Sequence, residues 1–412
     1  MSSTESTNGK RILVLGDYRQ TIVVVRSLAR SGYIVALGTS NPQSSTTLSR
    51  YVSEVWIYDH NSNEHFYSQL EGYLRATKPD FVFMVGETQL RSIARAASRF
   101  DPLAAWVTPA WKVAERCLDK NSMYLLTRQL GIPTLDWIEF TDPEVLRKKA
   151  QSMGYPVVVK RRDSSAHIRG LKALIFSTPK ELDTFFASLQ DESESSSLLL
   201  QKFSPGLRHN CHFGASAGKL IAYFEQKVIR TDELDYTGIG IEGISVAPSA
   251  TLRAYCAQLT ESLGYNGIGC IQFLIDESSG NVVFLELNPR MDSTAALPYH
   301  LHYDFPMLAI ELARDRQLNV VSPLTVPYRS GERYHWLYGD LLAWAEAWRN
   351  HQRTPLQLLS WTFRSALIAA SSCHLTWDWR DPLPTMHTYF IRMHRFASKR
   401  LHPLESLKSR AL

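Results

Sequence analysis

Cysteine is scarce and unorganised in this chain. Its 412 residues include five, Cys117, Cys211, Cys256, Cys270 and Cys373, scattered and with no CxxC pair. That excludes a disulfide framework and the usual spacing of a zinc site, and it suits a reducing cytoplasm. Long apolar runs are also missing: none approaches the roughly 18 residues a membrane span requires. The net charge is only +5, with lysine and arginine spread along the whole length, so the concentrated basic stripe of a nucleic-acid binder is absent. After Leu15 the chain runs Gly16-Asp17-Tyr18-Arg19-Gln20-Thr21, which lacks the GxGxxG of a dinucleotide fold and argues against NAD. Residues 1–9 are polar and rich in serine and threonine; they read as a disordered tail and not as a signal peptide.

What is present describes an ordinary globular chain. Hydrophobic residues make up 44% and charged residues 21%, and the length allows two or three domains with real cores. Residues 11–16 read as a strand, 21–30 as a helix with Ile22, Val25, Leu28 and Ala29 along one face, and 33–37 as a second strand. A further buried strand at 80–85 leads into a helix at 89–97. This alternation predicts a small doubly wound α/β lobe. Asp17, Arg19 and Glu87 fall at strand ends, as substrate contacts or as loop caps.

The most specific pattern lies near residue 280. Two β-type runs, 269–276 and 282–290, flank Glu277-Ser278-Ser279-Gly280-Asn281, the composition of a hairpin turn. Pairing residue 276 with 282 carries a constant register to Gln272 opposite Glu286, and strand alternation adds Asn288 to their face. Three oxygen-bearing side chains then share an otherwise apolar patch. A carboxylate there requires a partner. One candidate is Mg²⁺, which takes one or two carboxylates and leaves places for phosphate oxygens; the other is a salt bridge to Arg290 or a lysine. Lys120 follows Asp119 at the start of a helix, where dipole and ammonium both favour phosphate. Lys160 ends the run Val157-Val158-Val159, so its ammonium must emerge into a cleft or meet an anion. A lysine lying along the surface is the alternative for either.

These motifs come in a fixed order. Leu13-Val14-Leu15-Gly16 is followed by Asp119-Lys120 before a helix ending at Gly131-Ile132-Pro133, and then by Tyr155-Pro156-Val157-Val158-Val159-Lys160. Leu199-Leu200-Gln201-Lys202-Phe203 with Gly206 comes next, and Gln272, Glu286, Asn288 and Arg290 close the series. In that order the chain resembles the ATP-grasp superfamily over residues 10–320 or so. The branch it resembles includes the carbamoyl-phosphate synthetase large chain, biotin carboxylase and amino-acid ligases of the pyrrolysine-biosynthesis type.

The resemblance implies an α/β ATP-grasp fold. Residues 10–115 would form a Rossmann-like lobe and 116–322 the ATP-grasp domain, whose two α+β subdomains clamp a nucleotide. Within it 155–225 would be the small, flap-bearing subdomain, and 323–412 a Trp-rich, largely helical extension. ATP and Mg²⁺ are the implied cofactors, with two ions expected and Mn²⁺ as a substitute. Lys120 and Lys160 would hold phosphates, the backbone at Gln201, Lys202 and Phe203 would read adenine, and His209 would contact ribose. Gln272, Glu286 and Asn288 would hold metal. Arg290 would stabilise an acyl phosphate or oxyanion, and Arg230, ahead of Gly238, Gly240 and Gly243, would bind a substrate carboxylate.

The implied reaction activates a small carboxylate as an acyl phosphate and joins it to an amine or thiol, releasing ADP and phosphate. Two other readings stay open. Gln272, where many relatives carry glutamate, allows a carbamoyl- or carboxy-phosphate-forming enzyme acting on bicarbonate. The flap Arg161–Gly170 holds a single glycine, and Leu207-Arg208-His209 stands where relatives place an acid; both features allow a non-catalytic nucleotide sensor or scaffold. From residue 331 onward the chain carries Trp336, Trp344, Trp348, Trp361, Trp377 and Trp379. Packing back onto the ATP-grasp lobe is expected there, with a membrane surface or a partner protein as the alternative. A homodimer is a further expected assembly.

Overall fold

A computed structural model describes residues 9–140, 142–164, 166–189, 197–314 and 327–391. The expected tail over residues 1–8, Ser165 of the flap, and residues 323–326 and 392–412 of the extension lie outside them. The first lobe is a parallel sheet of β1 (Arg11–Leu15), β2 (Ile34–Thr39), β3 (Glu54–Ile57), β4 (Phe81–Met84) and β5 (Ala105–Val107), in the order β3-β2-β1-β4-β5. Helices Thr21–Arg30, Asn63–Thr77 and Glu87–Arg95 connect the strands. The central strands are covered on both faces, and so read as unbroken apolar runs with Ile12 to Leu15 fully buried. The chain winds from β1 out to β3 and then returns to β4 on the other side of β1. The carboxyl ends of β1 and β4 therefore flank the switch point where such sheets bind ligands. Two glycines let the loops there touch: Gly16 has φ +111°, and a Cβ on it would lie 2.8 Å from the Gly86 nitrogen. The helix after β4 begins at Glu87, earlier than expected, so that carboxylate stands in a first turn at this edge.

A second, antiparallel sheet runs β6-β9-β7-β8, from β6 (Trp137–Glu139), β7 (Val157–Arg161), β8 (Ala173–Phe176) and β9 (Leu198–Lys202). Helices Pro143–Met153 and Pro179–Ala187 bury Leu146, Leu182 and Phe185 against Val157, Val159 and Leu200. This sheet spans 137–202, whereas 155–225 was expected for the small subdomain. Residues beyond it turn into the third sheet.

That third sheet has seven strands in the order β14-β13-β10-β11-β12-β15-β16. They are β10 (Leu207–Ser216), β11 (Lys219–Thr231), β12 (Gly240–Ser245), β13 (Gly267–Asp276), β14 (Asn281–Asn288), β15 (Arg333–His335) and β16 (Cys373–His374). The extension is thus not simply helical: β15 pairs with β12 and β16 with β15, which carries the sheet across the expected boundary. Its helices Leu337–Arg349 and Pro355–Ser371 follow, and the buried Asp381 bonds Arg26 at 2.9 Å, tying the extension to the first lobe. On Pro355–Ser371 the stripe Leu356, Leu359, Phe363 and Leu367, at helical spacing, is 56 to 75% exposed. No described helix is long and apolar enough to cross a membrane.

Candidate active site

The β13–β14 hairpin brings Gln272 and Glu286 opposite each other, by a different route from the one expected. Near the turn the register pairs Asp276 with Asn281 and Phe273 with Phe284, one residue off the constant register; a bulge at Leu285 then restores Gln272 to Glu286 and Cys270 to Asn288. Two contacts from distant parts of the chain hold the bulge. The Phe284 amide donates to the Pro133 carbonyl at 2.8 Å, and the Tyr124 hydroxyl donates to the Leu285 carbonyl at 3.2 Å. Because of the extra residue, Phe284 and Leu287 both reach the core while Glu286 turns to the opposite face.

Onto that face come the lysines. Lys120, the first residue of helix Lys120–Gln129, lies 3.9 Å from Glu286 and donates to the Ser164 hydroxyl at 3.3 Å. Asp119 caps this helix by accepting from the Ser122 amide at 2.7 Å. Lys160 ends β7, is 5% exposed, and stands 5.1 Å from the centre of the Tyr124 ring. Burial, reinforced by Lys120, pushes its pKa down to about 7. Burial likewise lowers Lys120, against the pull of Glu286. For Glu286 burial works upward, but Lys120, Lys172, the Asn288 amide and Lys160 outweigh it and hold the carboxyl below its ordinary value. The Glu286 carboxylate thus faces the ammonium groups of Lys120, Lys172 and Lys160, with Glu87 and Asp163 also acting on Lys120. None of these lysines is in close contact with Glu286, an arrangement open to a polyphosphate. Lys172, just before β8, had no distinguishing pattern around it in the sequence.

The donor set fits a hard divalent cation. Glu286 offers a carboxylate; the Asn288 amide nitrogen donates to Glu286 at 3.0 Å, leaving its oxygen as the available donor, and Gln272 lies directly opposite Glu286. This incomplete oxygen shell leaves room for water and phosphate oxygens. The row continues inward from Gln272 to Asn210 on β10 and Gln226 on β11. Asn210 donates to Asp292 at 3.2 Å, and Gln226 lies 3.0 Å from His212. These buried polar residues could have been found from their alternation with core residues in β10 and β11.

The other expected site residues are engaged as follows. Alternation places His209 on the core face with Cys211, where it bonds Glu225 at 2.8 Å, turned away from the Glu286 face. The amides of Lys202 and Phe203 donate to the Asp136 and Pro156 carbonyls at 2.9 and 3.3 Å, and Gln201 pairs within the sheet, so those amides are not free to read a base. Arg230 is taken by Glu242 at 2.5 Å and Asp340 at 2.9 Å; it is a structural cross-link and not an open carboxylate receptor. Arg290 pairs with Glu87 and donates to the Met291 carbonyl at 2.7 Å. It therefore spans from the hairpin to the β1/β4 edge, and Glu286 faces lysines instead. In the flap, Arg162 holds Asp119 at 2.6 Å and Glu139 at 2.7 Å, so it braces the Lys120 helix cap.

The family "Carbamoyl-phosphate synthase L chain, ATP binding domain" matches residues 119–321. The carbamoyl phosphate synthase large chain of Pyrococcus furiosus is 26% identical over 228 residues, 51% of this chain and 21% of that one. A putative urea carboxylase of Emericella nidulans is 28% identical over 204 residues, 45% of this chain and 16% of that one. The match thus spans about a fifth of these relatives or less. Among solved structures, the biotin carboxylase domain dimer of Hydrogenobacter thermophilus 2-oxoglutarate carboxylase, in complex with MgADP, ADP and bicarbonate, superposes with TM-score 0.64 at 17% identity, covering 79% of this chain and 73% of that one. Staphylococcus aureus N5-carboxyaminoimidazole synthetase complexed with ADP gives 0.59 at 15% identity, over 74% and 78%. Residues 119–321 thus resemble the ATP-binding domain of the carbamoyl-phosphate synthase large chain, and the fold is one shared with biotin carboxylase domains.

Proposed function

We propose that this chain is an ATP- and Mg²⁺-dependent carboxylate–amine ligase, which activates a small carboxylate as an acyl phosphate and passes the acyl group to an amine. The observation that carries this reading is the convergence of Lys120, Lys160 and Lys172 on Glu286 beside Gln272 and Asn288. Mg²⁺ in that seat would neutralise phosphate charge. Phosphoryl transfer relies chiefly on positioning and charge neutralisation, so the lysines hold the phosphates in line while the neighbouring crevice presents the acid. Arg290, held at the crevice by Glu87, sits one strand-end beyond Asn288, where an acyl phosphate or tetrahedral oxyanion would develop charge.

The experiment is ADP release with Mg-ATP, pooled amino acids and pooled small carboxylic acids. Release that requires both pools supports the ligase. Release with bicarbonate alone replaces it with the carboxy-phosphate reading, which Gln272 favours. A thermal shift on adding Mg-ATP without any release replaces it with a nucleotide sensor. The same proposal places the protein in the cytoplasm and assigns the exposed stripe Leu356, Leu359, Phe363 and Leu367 to a protein partner; sedimentation of the full chain and its Leu359→Lys, Phe363→Lys variant tests for a homodimer.

A further inference from the structure

A cleft of about 510 Å³ opens where three parts of the chain meet: helix Thr21–Arg30 of the first lobe, helix Ala296–His300 with the turn after it, and the extension from Cys373 to Asp378. That is the size of a small-molecule site. None of its lining residues belongs to the β13–β14 hairpin, the Lys120 helix or β7, so the nucleotide seat does not account for it. Two guanidinium groups line the cleft, and both are already held by acids. Arg26 gives its Nε and Nη2 to Asp381 at 2.9 and 2.8 Å and its Nη1 to the Thr376 carbonyl at 2.7 Å. Arg30 is held by Asp378, Tyr51 and Tyr299. Asp304 is different. Its Oδ1 accepts from the Ser27 hydroxyl at 2.6 Å and from the Met307 amide at 3.1 Å, which caps helix Phe305–Arg314. Its Oδ2 has no partner among the described residues, and no cation among them acts on the carboxylate. Burial accordingly pushes Asp304 up, against the two bonds at Oδ1.

The rest of the lining suits the same kind of guest. Tyr299 and Trp377 contribute aromatic rings, to which a cation is attracted. His374 donates to the Ala369 carbonyl, and burial together with His335 holds its imidazole below the ordinary value, so the neutral ring keeps its second nitrogen as an acceptor. An open carboxylate oxygen, aromatic rings and an imidazole acceptor all answer to an N–H cation. We infer that this cleft is a ligand site separate from the Glu286 face, and that it takes a small organic cation, a primary alkylamine or short diamine, with its ammonium on Asp304 and its carbon chain along Tyr299 and Trp377. An anion would meet Asp304 and Asp378 in a cleft whose arginines are already matched. The guest would touch the first lobe, the extension and the helix that follows Thr294, whose hydroxyl bonds Asp292 beside Arg290. It is therefore placed to act as an effector and not to be consumed. The site goes beyond the ligase reading and does not rest on it.

The test is calorimetric titration of the full chain near neutral pH with n-butylamine, diaminobutane, butyrate and inorganic phosphate, one at a time. At least one of the two amines binds, and butyrate and phosphate do not. Asp304→Asn keeps the helix cap, because asparagine caps as well as aspartate, and it weakens amine binding about tenfold or more, the scale of a hydrogen bond to a charged group. Should Asp304→Asn fail to fold, Trp377→Ala weakens the binding about threefold, the scale of an exposed cation–π contact. Glu286→Ala binds the amine as the parent does, because the cleft lies apart from the nucleotide seat. The inference is overturned if neither amine binds, if butyrate or phosphate binds as tightly, or if Asp304→Asn binds as the parent does. Consumption of the amine during ADP release, with a KM that rises in Asp304→Asn, would also overturn it, by making the cleft the acceptor site itself.

Discussion

Two buried charge clusters share the seven-stranded sheet and differ in how far their charges are matched. At the β12–β15 end, Glu242 receives Arg230 at 2.5 Å, Arg333 at 2.9 Å and Arg364 at 3.0 Å. Asp340 receives Arg230 and His335 there, together with the Trp361 indole at 2.6 Å and the Ser365 hydroxyl at 2.6 Å. Despite burial, those partners hold Asp340 well below the usual carboxylate range. At the β13–β14 end the closest cation to Glu286 among the described residues is 3.9 Å away, and Lys120, Lys172 and Lys160 act on that carboxylate, with Glu87 and Asp163 acting on Lys120 as well. The first cluster is closed, with each acid in direct contact with its cations. The second is open, an arrangement that gains from an incoming anion. Burial of charge is common to both, so matching, not burial, separates the closed cluster from the open one.

The sharpest way to break this comparison is to remove charge from the open cluster. Glu286→Ala and Lys160→Ala should each lower kcat by about 10²- to 10³-fold, the scale of losing preorganised charge stabilisation, with melting temperatures close to the parent. Steady-state ADP release and a thermal melt measure both. An active Glu286→Ala enzyme would mean that the seat for Mg²⁺ is wrongly placed.

The closed cluster should give the opposite result. Glu242→Gln leaves Arg230, Arg333 and Arg364 without their shared carboxylate, one that is fully buried. A loss of about 3 kcal/mol is expected, at the lower edge for breaking a buried pair because Arg333 and Arg364 are partly exposed. Urea unfolding measures it. Turnover per folded molecule should stay within about twofold of the parent, because the loss falls on stability.

Strand alternation was enough to place Gln272, Glu286 and Asn288 together, because the register from Gln272/Glu286 to Cys270/Asn288 holds no bulge and keeps its period of two. The bulge was less legible: Phe284 and Leu287 are both apolar and three apart with Glu286 between them, which is its trace in the sequence, but the Pro133 carbonyl and Tyr124 that hold it come from far along the chain. Arg230 and His209 were misplaced for a similar reason. Asp340 lies 110 residues from Arg230, and no periodic pattern reveals a pairing of that kind. The parallel lobe was read correctly as doubly wound, whereas β15 and β16 are too short to leave an alternation of their own. Arg19 was recognisable as a strand-end residue; its stacking partner, Trp336, could come only from the fold.

A finer probe of the open cluster is its proton. Lys160 has a folded pKa of about 7 against an ordinary 10.5. Between those values the unfolded chain binds more protons than the unliganded native protein, so stability should rise with pH across that window and fall as pH drops toward 7. Lys160→Met removes the rise. A bound polyphosphate restores the charged form, so Mg-ATP binding near pH 8 should take up a substantial fraction of a proton. Calorimetry in buffers of different ionisation enthalpy measures the uptake, and equal heats in such buffers would show that Lys160 does not meet the nucleotide.

The smallest expected effect concerns His209, one residue from the polar row but on the other face of the sheet. Its partner Glu225 also accepts the Tyr223 hydroxyl at 2.8 Å and the Ser249 amide at 2.8 Å, so the site is a closed node like Glu242. His209→Asn loses one hydrogen bond to a carboxylate that keeps its two others, a cost of about 1 kcal/mol in stability. The KM for ATP should stay within about twofold, since a sheet separates the imidazole from the lysines. If instead the KM for ATP rises tenfold while the urea midpoint does not move, His209 belongs to the nucleotide after all, and the division between an open face and a closed face fails at the residue that lies closest to both.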